Sequence, residues 1–425
     1  MTIGYPENVI KIMGIMSKHG YRAYAVGGCV RDVIMGREPS DWDMTTNASP
    51  EKMMEIFASE GVKTVPTGLK HGTVTVLLGG EAYEVTTFRI DGSYTDSRHP
   101  DEVVFTSNIE DDLARRDFTV NAMAAAPVAG TPAVGEPAVG EPAASKPAAS
   151  KPAASKPAAS GAIETFNDDV IDVFGGIEDI NNKIIRAVGD PERRFTEDAL
   201  RILRVVRFAA ILGFEIEENT KKAAAKLASG LKRVSIERKI AELKKILVSS
   251  GADKGIDLIF ELGLCEYIHE DIKRPSFSLL ALPARFETRM AALFFENESV
   301  LELSSLKLSR AEAQGIKRLC DKDAFCGEVS DRNARRMIFE YGELAADAAM
   351  LHQNPELASL IGEWAKNSPC VTVAALKVSG NDLMSEGIEP RRIGGIMSYL
   401  LDRVIDEPEL NERGALIALA KSFRG

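Results

Sequence analysis

The stretch from residue 27 to residue 43 constrains the fold of this chain more than any other. Residues 24–26 (YAV) predict a short apolar strand that leads into the pair Gly27-Gly28. A glycine pair lets the backbone turn sharply and approach a ligand, because no Cβ stands in the way. Arg31 follows where a helix is expected to begin, so a guanidinium and free backbone amides would face the same anion. The pattern predicts a strand, a phosphate-binding turn and a helix.

Two aspartates, Asp41 and Asp43, flank Trp42. On a β-strand alternate residues share one face, so both carboxylates would point to the same side, as a pair of Mg²⁺ ions bridging nucleotide phosphates requires. Phosphoryl transfer at a two-metal site fits this arrangement best. A glycine pair alone is usually a plain turn, and an Asp-X-Asp pair alone is common in solvated loops and helix caps. Their proximity in one strand-turn-helix-strand unit favours the functional interpretation.

The rest of the first third predicts mixed α and β structure. Residues 8–19 carry apolar side chains at a helical period. Strands are expected at residues 73–78 and 82–88, joined by Gly79-Gly80, which is a hairpin signal. The aspartate pair is therefore expected on a mixed sheet.

Several polar residues of this region are further candidates. Glu84, on the second of these strands, is a candidate third carboxylate, although a solvated strand face is the commoner fate. Arg115 and Arg116 are expected at the start of an amphipathic segment, where Asp117 would suit the first turn. An arginine pair is nevertheless usually a solvated face. Residues 90–100 (IDGSYTDSRHP) predict a mobile polar loop.

The segment from residue 127 to residue 162 differs in kind, because it repeats a pentapeptide, first AVGEP and then AASKP. Proline at every fifth residue forbids a continuous helix or strand, and few side chains could anchor a core. The repeat predicts a flexible, partly polyproline-II loop. Motif-like sequence on both sides favours an insertion within a domain over a domain boundary.

A second informative stretch runs from residue 193 to residue 214. Thr196 and Asp198 are expected to start a helix that ends at Gly213. One side of this helix is apolar, and arginines recur at every third residue on the other side. These arginines are Arg201, Arg204 and Arg207. The pattern predicts an anion-facing ridge turned away from the core, with an ordinary amphipathic surface helix as the alternative.

The second half of the chain is expected to be helical. Amphipathic segments occur at residues 311–320, 335–341 and 393–405, and no β alternation of any length returns. A helical body of this kind could hold a long partner. A solvent-facing scaffold is the alternative.

Length and composition limit the class of protein. A chain of 425 residues predicts two to four domains, and 45% hydrophobic with 27% charged residues is typical of a soluble globular protein. Absence of a membrane-length apolar run predicts a cytoplasmic protein, and five scattered cysteines without a Cys-x-x-Cys pair predict reduced thiols. A net charge of -11 argues against non-specific coating of nucleic acid but leaves room for a local basic groove.

These stretches together resemble the class II tRNA nucleotidyltransferases, or CCA-adding enzymes, of the DNA polymerase β-like nucleotidyltransferase superfamily. VGGCVRD with DWD resembles the first catalytic motif of that family, and RRDFTVNAMA resembles the second. DVFGG with Asp179 is similar to the hinge motif, EDALRILRVVRF to the nucleotide-reading motif, and SIERKIAEL to a helical motif that supports the reader. The resemblance covers nearly the whole chain apart from the repeat insertion.

The resemblance implies an α+β fold, with a small N-terminal mixed-sheet catalytic head followed by an elongated all-helical neck, body and tail. The head would span residues 1–165, including the low-complexity insertion 127–162. A nucleotide-selecting neck would span residues 166–235, and a tRNA-binding body and tail would span residues 236–425.

The resemblance also implies roles for individual residues. Asp41 and Asp43 would bind the catalytic Mg²⁺. The residues that would contact the triphosphate are Gly28, Arg31 and Arg116. Those that would read the base are Asp198 and Arg201, with Arg204 and Arg207 lining the same pocket. The substrates implied are CTP, ATP and the 3′ end and acceptor arm of tRNA.

Base choice follows from hydrogen-bond chemistry. Cytosine and adenine both present an amino donor beside a ring acceptor, so one carboxylate and one guanidinium a helical turn apart can accept either. Uracil and guanine present a carbonyl beside a ring N–H, which would leave both protein groups unpaired. The protein itself is therefore expected to act as the template for C and A.

The sequence leaves open which nucleotides are added. An enzyme that adds only the terminal A is the main rival, because the loop at residues 90–100 resembles one that CCA-adding and A-adding members share and CC-adding members shorten. Poly(A) polymerases usually carry a basic tail, whereas this chain ends in the short stretch ALIALAKSFRG. A nucleotide-sensing or RNA-binding protein that has lost catalysis is a further alternative, but the presence of both Asp41 and Asp43 argues against it.

Overall fold

The computed structural model describes residues 3–92, 103–127, 170–297, 302–322, 325, 327–367 and 369–423. The chain divides into two compact units, the first ending at Val234 and the second beginning at Ser235. The predicted head and neck therefore fall in one unit, and the boundary expected near residue 165 between them stays a prediction. The repeat insertion from residue 128 onward and most of the loop expected at residues 90–100 lie outside the described residues.

The first unit combines helices and strands. Its helices are α1 (Glu7–Lys18), α2 (Gly28–Ile34), α3 (Pro50–Ser59), α4 (Ile109–Ala114), α5 (Gly176–Asn182), α6 (Pro191–Glu197), α7 (Leu200–Leu212) and α8 (Glu218–Lys226). Its strands are β1 (Ala23–Val26), β2 (Met44–Thr46), β3 (Lys63–Gly68), β4 (Thr73–Leu78), β5 (Glu81–Thr87), β6 (Arg89–Asp91), β7 (Val103–Phe105), β8 (Ala124–Ala125), β9 (Val170–Ile171), β10 (Ile184–Ile185) and β11 (Glu215–Ile216).

The main sheet of this unit has seven strands in the order β3-β4-β5-β2-β1-β8-β9. All neighbours are antiparallel except β2 and β5, which run parallel. The mixed sheet expected from the sequence is thereby confirmed. Two small pairs lie apart from it, β6 with β7 and β10 with β11.

Local sequence signals explain where these elements turn. The hairpin between β4 and β5 forms at the predicted glycine pair, where Gly79 and Gly80 have φ angles of 63° and 84°. Positive φ at both central residues is the requirement of a type I′ turn, whose twist matches that of the flanking strands. Helix α1 lies at the predicted position, and helix α2 begins at Gly28, three residues before the expected start at Arg31.

The second unit is helical throughout the residues that the structure describes, as predicted. Its helices are α9 (Ile236–Leu247), α10 (Ala252–Glu261), α11 (Phe286–Ala292), α12 (Arg310–Leu319), α13 (Asp331–Tyr341), α14 (Ala345–Leu351), α15 (Pro355–Lys366), α16 (Gly380–Ser385), α17 (Pro390–Asp406) and α18 (Arg413–Ser422). Its last part has a separate core, in which Leu383, Leu400 and Leu416 are completely buried. Within the described ranges, no helix of either unit has the length and apolar character needed to cross a membrane.

Two helix predictions were wrong. The helix expected to start near Thr196 begins at Leu200, because Asp198 adopts an extended conformation and its carboxylate accepts the Leu200 N–H at 3.0 Å. The amphipathic segment expected from Arg115 is instead a helix end followed by a short turn, since α4 stops at Ala114 and only a single 3₁₀ turn, Thr119–Asn121, follows. In both places a short polar side chain competes with the helix for backbone groups.

Candidate active site

At the glycine turn after β1, the side chain of Arg116 approaches the backbone closely. Gly27 has φ 83° and ψ −124°, a conformation that residues with a Cβ rarely adopt, and its N–H donates to the Met123 carbonyl at 3.0 Å. A Cβ at Gly27 would lie 2.9 Å from Nη1 of Arg116. The absence of a side chain at Gly27 therefore makes room for the Arg116 guanidinium.

Arg116 carries an unsatisfied donor. Its Nη2 pairs with Asp112 at 3.3 Å, and Asp112 is completely buried and also accepts two hydrogen bonds from Arg115. The Nε of Arg116 is buried and has no hydrogen-bond partner among the described residues. Because a buried unpaired donor costs free energy, this nitrogen is suited to an anionic ligand that completes its hydrogen bonding.

Arg31 lies on α2, next to Gly28 of the same turn, with its guanidinium held from two sides. Its Nη1 donates to Asn121 Oδ1 at 2.6 Å, and its Nε donates to Asp32 Oδ1 at 2.9 Å. The guanidinium also lies 5.4 Å from the centre of the Phe208 ring. These contacts preorganise a buried cation beside the glycine turn.

Asp41 and Asp43 lie directly before strand β2 and not on it, which corrects the expected strand assignment. The strand begins at Met44, although the Val26 N–H still donates to the Asp43 carbonyl at 3.0 Å and so extends the pairing by one bond. Both aspartates are solvent-accessible and line an open cleft. The backbone is thus anchored to the sheet while the carboxylates stay available to a ligand.

Glu84 joins the aspartates in this cleft. Met44 pairs with Val85 across the parallel strands β2 and β5, so the preceding residues, Asp43 and Glu84, are neighbours. Partial burial raises the pKa of the Asp43 carboxyl, the charges of Asp41 and Glu84 raise it further, and Arg116 opposes the shift. The three carboxylates therefore concentrate negative charge that a bound cation would neutralise.

The donor set can be tested against a metal ion. Within the described ranges, no group of three or more Asp, Glu, His or Cys side chains converges closely enough to hold a metal unaided. Mg²⁺ usually takes one or two carboxylates and completes its shell with water and substrate phosphates. The hard oxygens of Asp41 and Asp43 fit such a nucleotide-dependent site.

Two of the three arginines of α7, Arg201 and Arg207, are buried and Arg204 is half-buried, which contradicts the prediction that all three face away from the core. Arg201 and Arg207 are each only 9% exposed. Arg201 donates from Nη1 to Glu197 Oε2 at 2.8 Å and from Nη2 to the Arg115 carbonyl at 3.2 Å. Its buried charge is tolerated because acceptors from two other segments surround it.

Arg204 is held by Asp117. Its Nε and Nη2 donate to Asp117 Oδ2 at 2.8 and 2.5 Å. Burial alone would raise the pKa of Asp117, but the charge and hydrogen bonds of Arg204 outweigh it and lower the pKa to about 2. Sequence reasoning placed Asp117 only in a helix turn, although its position directly after two arginines was a signal of a charged cluster.

Phe208 brings the two sets of arginines together. Its ring centre lies 5.5 Å from the Arg204 guanidinium and 4.1 Å from that of Arg207, in addition to the contact with Arg31. Asp198 lies just before α7, one turn before Arg201, and its carbonyl accepts the Arg201 N–H at 3.0 Å. The arginine beside the glycine turn and the arginines of α7 therefore border one site within the first unit.

Known proteins match both parts of the chain. The family model of the poly A polymerase head domain matches residues 23–138, and that of the probable RNA and SrmB-binding site of polymerase A matches residues 213–274. A CCA-adding enzyme of Enterococcus faecalis is 32% identical over 96% of this chain and 94% of its own length. The chain belongs to the CCA-adding enzyme family. This confirms the resemblance inferred from the motifs. It also confirms the prediction that the protein is a tRNA nucleotidyltransferase.

Further relatives agree. The CCA-adding enzyme of Levilactobacillus brevis is 31% identical over 96% of this chain and 95% of its own length. The crystal structure of the Bacillus stearothermophilus CCA-adding enzyme in complex with CTP matches with a TM-score of 0.74 and 29% identity, covering 99% of this chain and 98% of that one. The α+β fold expected from the sequence is confirmed by this match.

The close approach at Gly27 predicts a specific loss of nucleotide affinity. Gly27→Ala should lower the free energy of unfolding by about 1–3 kcal/mol from backbone strain and should also weaken CTP binding, because the new Cβ displaces Arg116. Gly20→Ala is the matched control, since Gly20 has φ 79° and open space around it. It should also lose stability because of its positive φ, but it should keep its affinity for CTP. Equal CTP affinities for the two variants, measured by calorimetry, would contradict this role of the turn.

The low pKa of Asp117 predicts an acid-dependent loss of stability. Because the folded pKa of about 2 lies below the ordinary value of 3.8, the stabilisation is complete above about pH 5 and is lost as the pH falls toward 2. Its full size is about 2 kcal/mol, of which about half is lost by pH 3. Urea unfolding at pH 7 and pH 3 should show a larger loss for the wild type than for Asp117→Asn. If the wild type and Asp117→Asn lose the same free energy of unfolding, protonation of Asp117 does not contribute to the acid-dependent loss.

Proposed function

We propose that this protein adds the 3′-terminal CCA to tRNA from CTP and ATP, releases pyrophosphate and uses no nucleic-acid template. The observation that carries the proposal is the convergence, within one unit, of the carboxylates Asp41 and Asp43, the arginines of the glycine turn and the arginines of α7. Membership of the CCA-adding enzyme family supports it. A cytoplasmic location stays a prediction.

In this proposal the carboxylate cleft is the metal site. Asp41 and Asp43 would hold Mg²⁺, and Glu84 would add negative charge beside them. When bound, the metal would lower the pKa of the attacking hydroxyl and neutralise the leaving group. Burial and the charges of Asp41 and Glu84 raise the pKa of Asp43, and a bound cation would favour the charged form against both causes.

The arginines position the triphosphate. Gly28 would let the phosphates approach the backbone, Arg31 would hold them from α2, and Arg116 would donate its unpaired Nε. The 3′-hydroxyl of the tRNA then attacks the α-phosphate in line, so that the new P–O bond forms as the bond to pyrophosphate breaks. Fixed guanidinium groups stabilise the charge that develops on the leaving pyrophosphate.

Asp198, just before α7, and Arg201, in its first turn, select the base. Asp198 would accept the amino group of cytosine or adenine, and Arg201 would donate to the adjacent ring nitrogen. Glu197 holds the Arg201 guanidinium at 2.8 Å, which limits its rotation. Arg204 and Arg207 would line the same pocket. Uracil and guanine would leave the reading groups unpaired at a buried site, which is a strong ground for rejection.

The second unit is proposed to bind the tRNA acceptor arm. Its helices have no strands among them in the described ranges, and the family model for a probable RNA-binding site spans the end of the first unit and the start of the second. This assignment concerns the unit as a whole and no single residue.

The main rival, an enzyme that adds only the terminal A, is distinguished by three tRNA transcripts. They end before CCA, after the first C and after CC, and each is incubated with CTP, ATP or both. Addition of CCA to the first transcript is expected. Addition of A to the CC-ending transcript alone would favour the rival, and no addition to any transcript would overturn the proposal.

The metal assignment predicts a catalytic loss without a binding loss. Asp41→Ala should lower incorporation on the order of 10³-fold, because charge stabilisation at the reacting phosphate is lost, while tRNA affinity persists. Glu38→Ala is the control, since Glu38 lines the same cleft and has no proposed role. It should retain activity. Unchanged turnover of Asp41→Ala would remove Asp41 from the metal site.

The base-reading assignment predicts relaxed selection. Asp198→Ala should reduce the preference for CTP over UTP by about 10²-fold, because the carboxylate no longer penalises a carbonyl at the base edge. The ratio of kcat/KM for the two nucleotides measures this directly. A variant that keeps the full preference for C and A would exclude Asp198 from base reading.

A further inference from the structure

Asn121 connects two residues that belong to different parts of the proposed site. Its Oδ1 accepts a hydrogen bond from Arg31 Nη1 at 2.6 Å, and its Nδ2 donates to Asp117 Oδ1 at 3.3 Å. Asn121 is only 7% exposed, so water does not readily replace either bond. The amide lies between a cation beside the glycine turn and a carboxylate beside α7.

The Asn121 amide satisfies both neighbours at once. A guanidinium can only donate and an ionised carboxylate can only accept, so the bridging side chain must offer one acceptor and one donor. An aspartate would present a second acceptor to Asp117, and a leucine of similar size would present neither. The amide of Asn121 therefore matches the charges on its two sides.

The connection continues through Asp117 to α7. Asp117 Oδ2 accepts both hydrogen bonds from Arg204, while its Oδ1 accepts the bond from Asn121. The result is a chain of hydrogen bonds from Arg31 through Asn121 and Asp117 to Arg204. The Phe208 ring contacts both terminal guanidinium groups, at 5.4 and 5.5 Å.

We propose that Asn121 is a positioning residue that couples Arg31 to Arg204. Through it, the position of the arginine that holds the triphosphate and the shape of the base pocket depend on each other. This inference rests on the proposed function, since it requires Arg31 to contact phosphate and Arg204 to line the pocket. A nucleotide whose base fits but whose triphosphate is misplaced then gains little binding free energy from either half of the site. The same holds for a nucleotide whose triphosphate fits but whose base does not.

The physical basis is the cooperativity of a hydrogen-bond chain in which Arg31, Asn121 and Asp117 are buried and Arg204 is half-buried. Once one link is broken, the groups beyond it are no longer held in place, so breaking a second link costs less. Arg31 and Arg204 substitutions should therefore have less than multiplicative effects. Without the amide, each guanidinium responds independently.

A double-mutant cycle tests the coupling. The measured quantity is kcat/KM for CTP on a tRNA transcript that lacks CCA, for the wild type, Arg31→Lys, Arg204→Lys and the double variant. We expect kcat/KM of the double variant to be at least about fivefold higher than the value obtained by multiplying the two single effects. If the two effects are multiplicative within about twofold while Asn121 is intact, the proposal is overturned, whatever the Asn121 variants show.

The same cycle in the Asn121→Leu background identifies the route. There the two lysine substitutions are expected to be multiplicative, whereas in the Phe208→Leu background the coupling should persist. Coupling that survives Asn121→Leu would assign it to shared substrate contacts or to the ring, and would overturn the role of the amide. Incorporation by the wild type is measured first, because its absence would refute the proposed function and not merely the coupling.

Discussion

The ion pair between the buried Asp117 and the half-buried Arg204 is the interaction that fixes α7 in the first unit. Removing two charges from water is costly, and the cost is offset only when each charge finds several partners. Asp117 accepts from Arg204, from Asn121 and from the Phe118 N–H at 2.9 Å, and its own carbonyl accepts the Val188 N–H at 3.1 Å. Helix α7 is thereby attached to the segment that follows α4. The surface that is proposed to read the base has a fixed position relative to the sheet.

Charge is divided across the site in a way that suits nucleotidyl transfer. Carboxylates gather just before β2 and on the adjacent β5, and guanidinium groups gather around the glycine turn and α7. Arg116 lies between the two, since it opposes the raised pKa of Asp43 and approaches Gly27. A triphosphate placed between them would meet cations of the protein on one side and carboxylate-held metal on the other.

Features encoded by a few adjacent residues were predictable from the sequence. The glycine hairpin, the strand before Gly27 and the helical second half each depend on local turn chemistry or periodicity. The inward direction of the α7 arginines was not predictable, because the acceptors of Arg201 and Arg204 come from residues 86 and 87 positions earlier in the chain. Periodicity shows which residues share a helix face, but it does not show what covers that face. The sequence also could not show whether Glu84 lies in the site or on a solvated strand face, since its place beside Asp43 depends on the register of two parallel strands.

Template-free choice of C and A by the protein itself is tested most directly by a competition among four nucleotides. Purified protein free of nucleic acid is given a tRNA transcript lacking CCA and equal concentrations of CTP, ATP, UTP and GTP, and the added nucleotides are sequenced. The expected product ends in CCA, with U and G rare at every position. Products in which U or G appears as often as C or A would contradict selection by hydrogen bonds from α7.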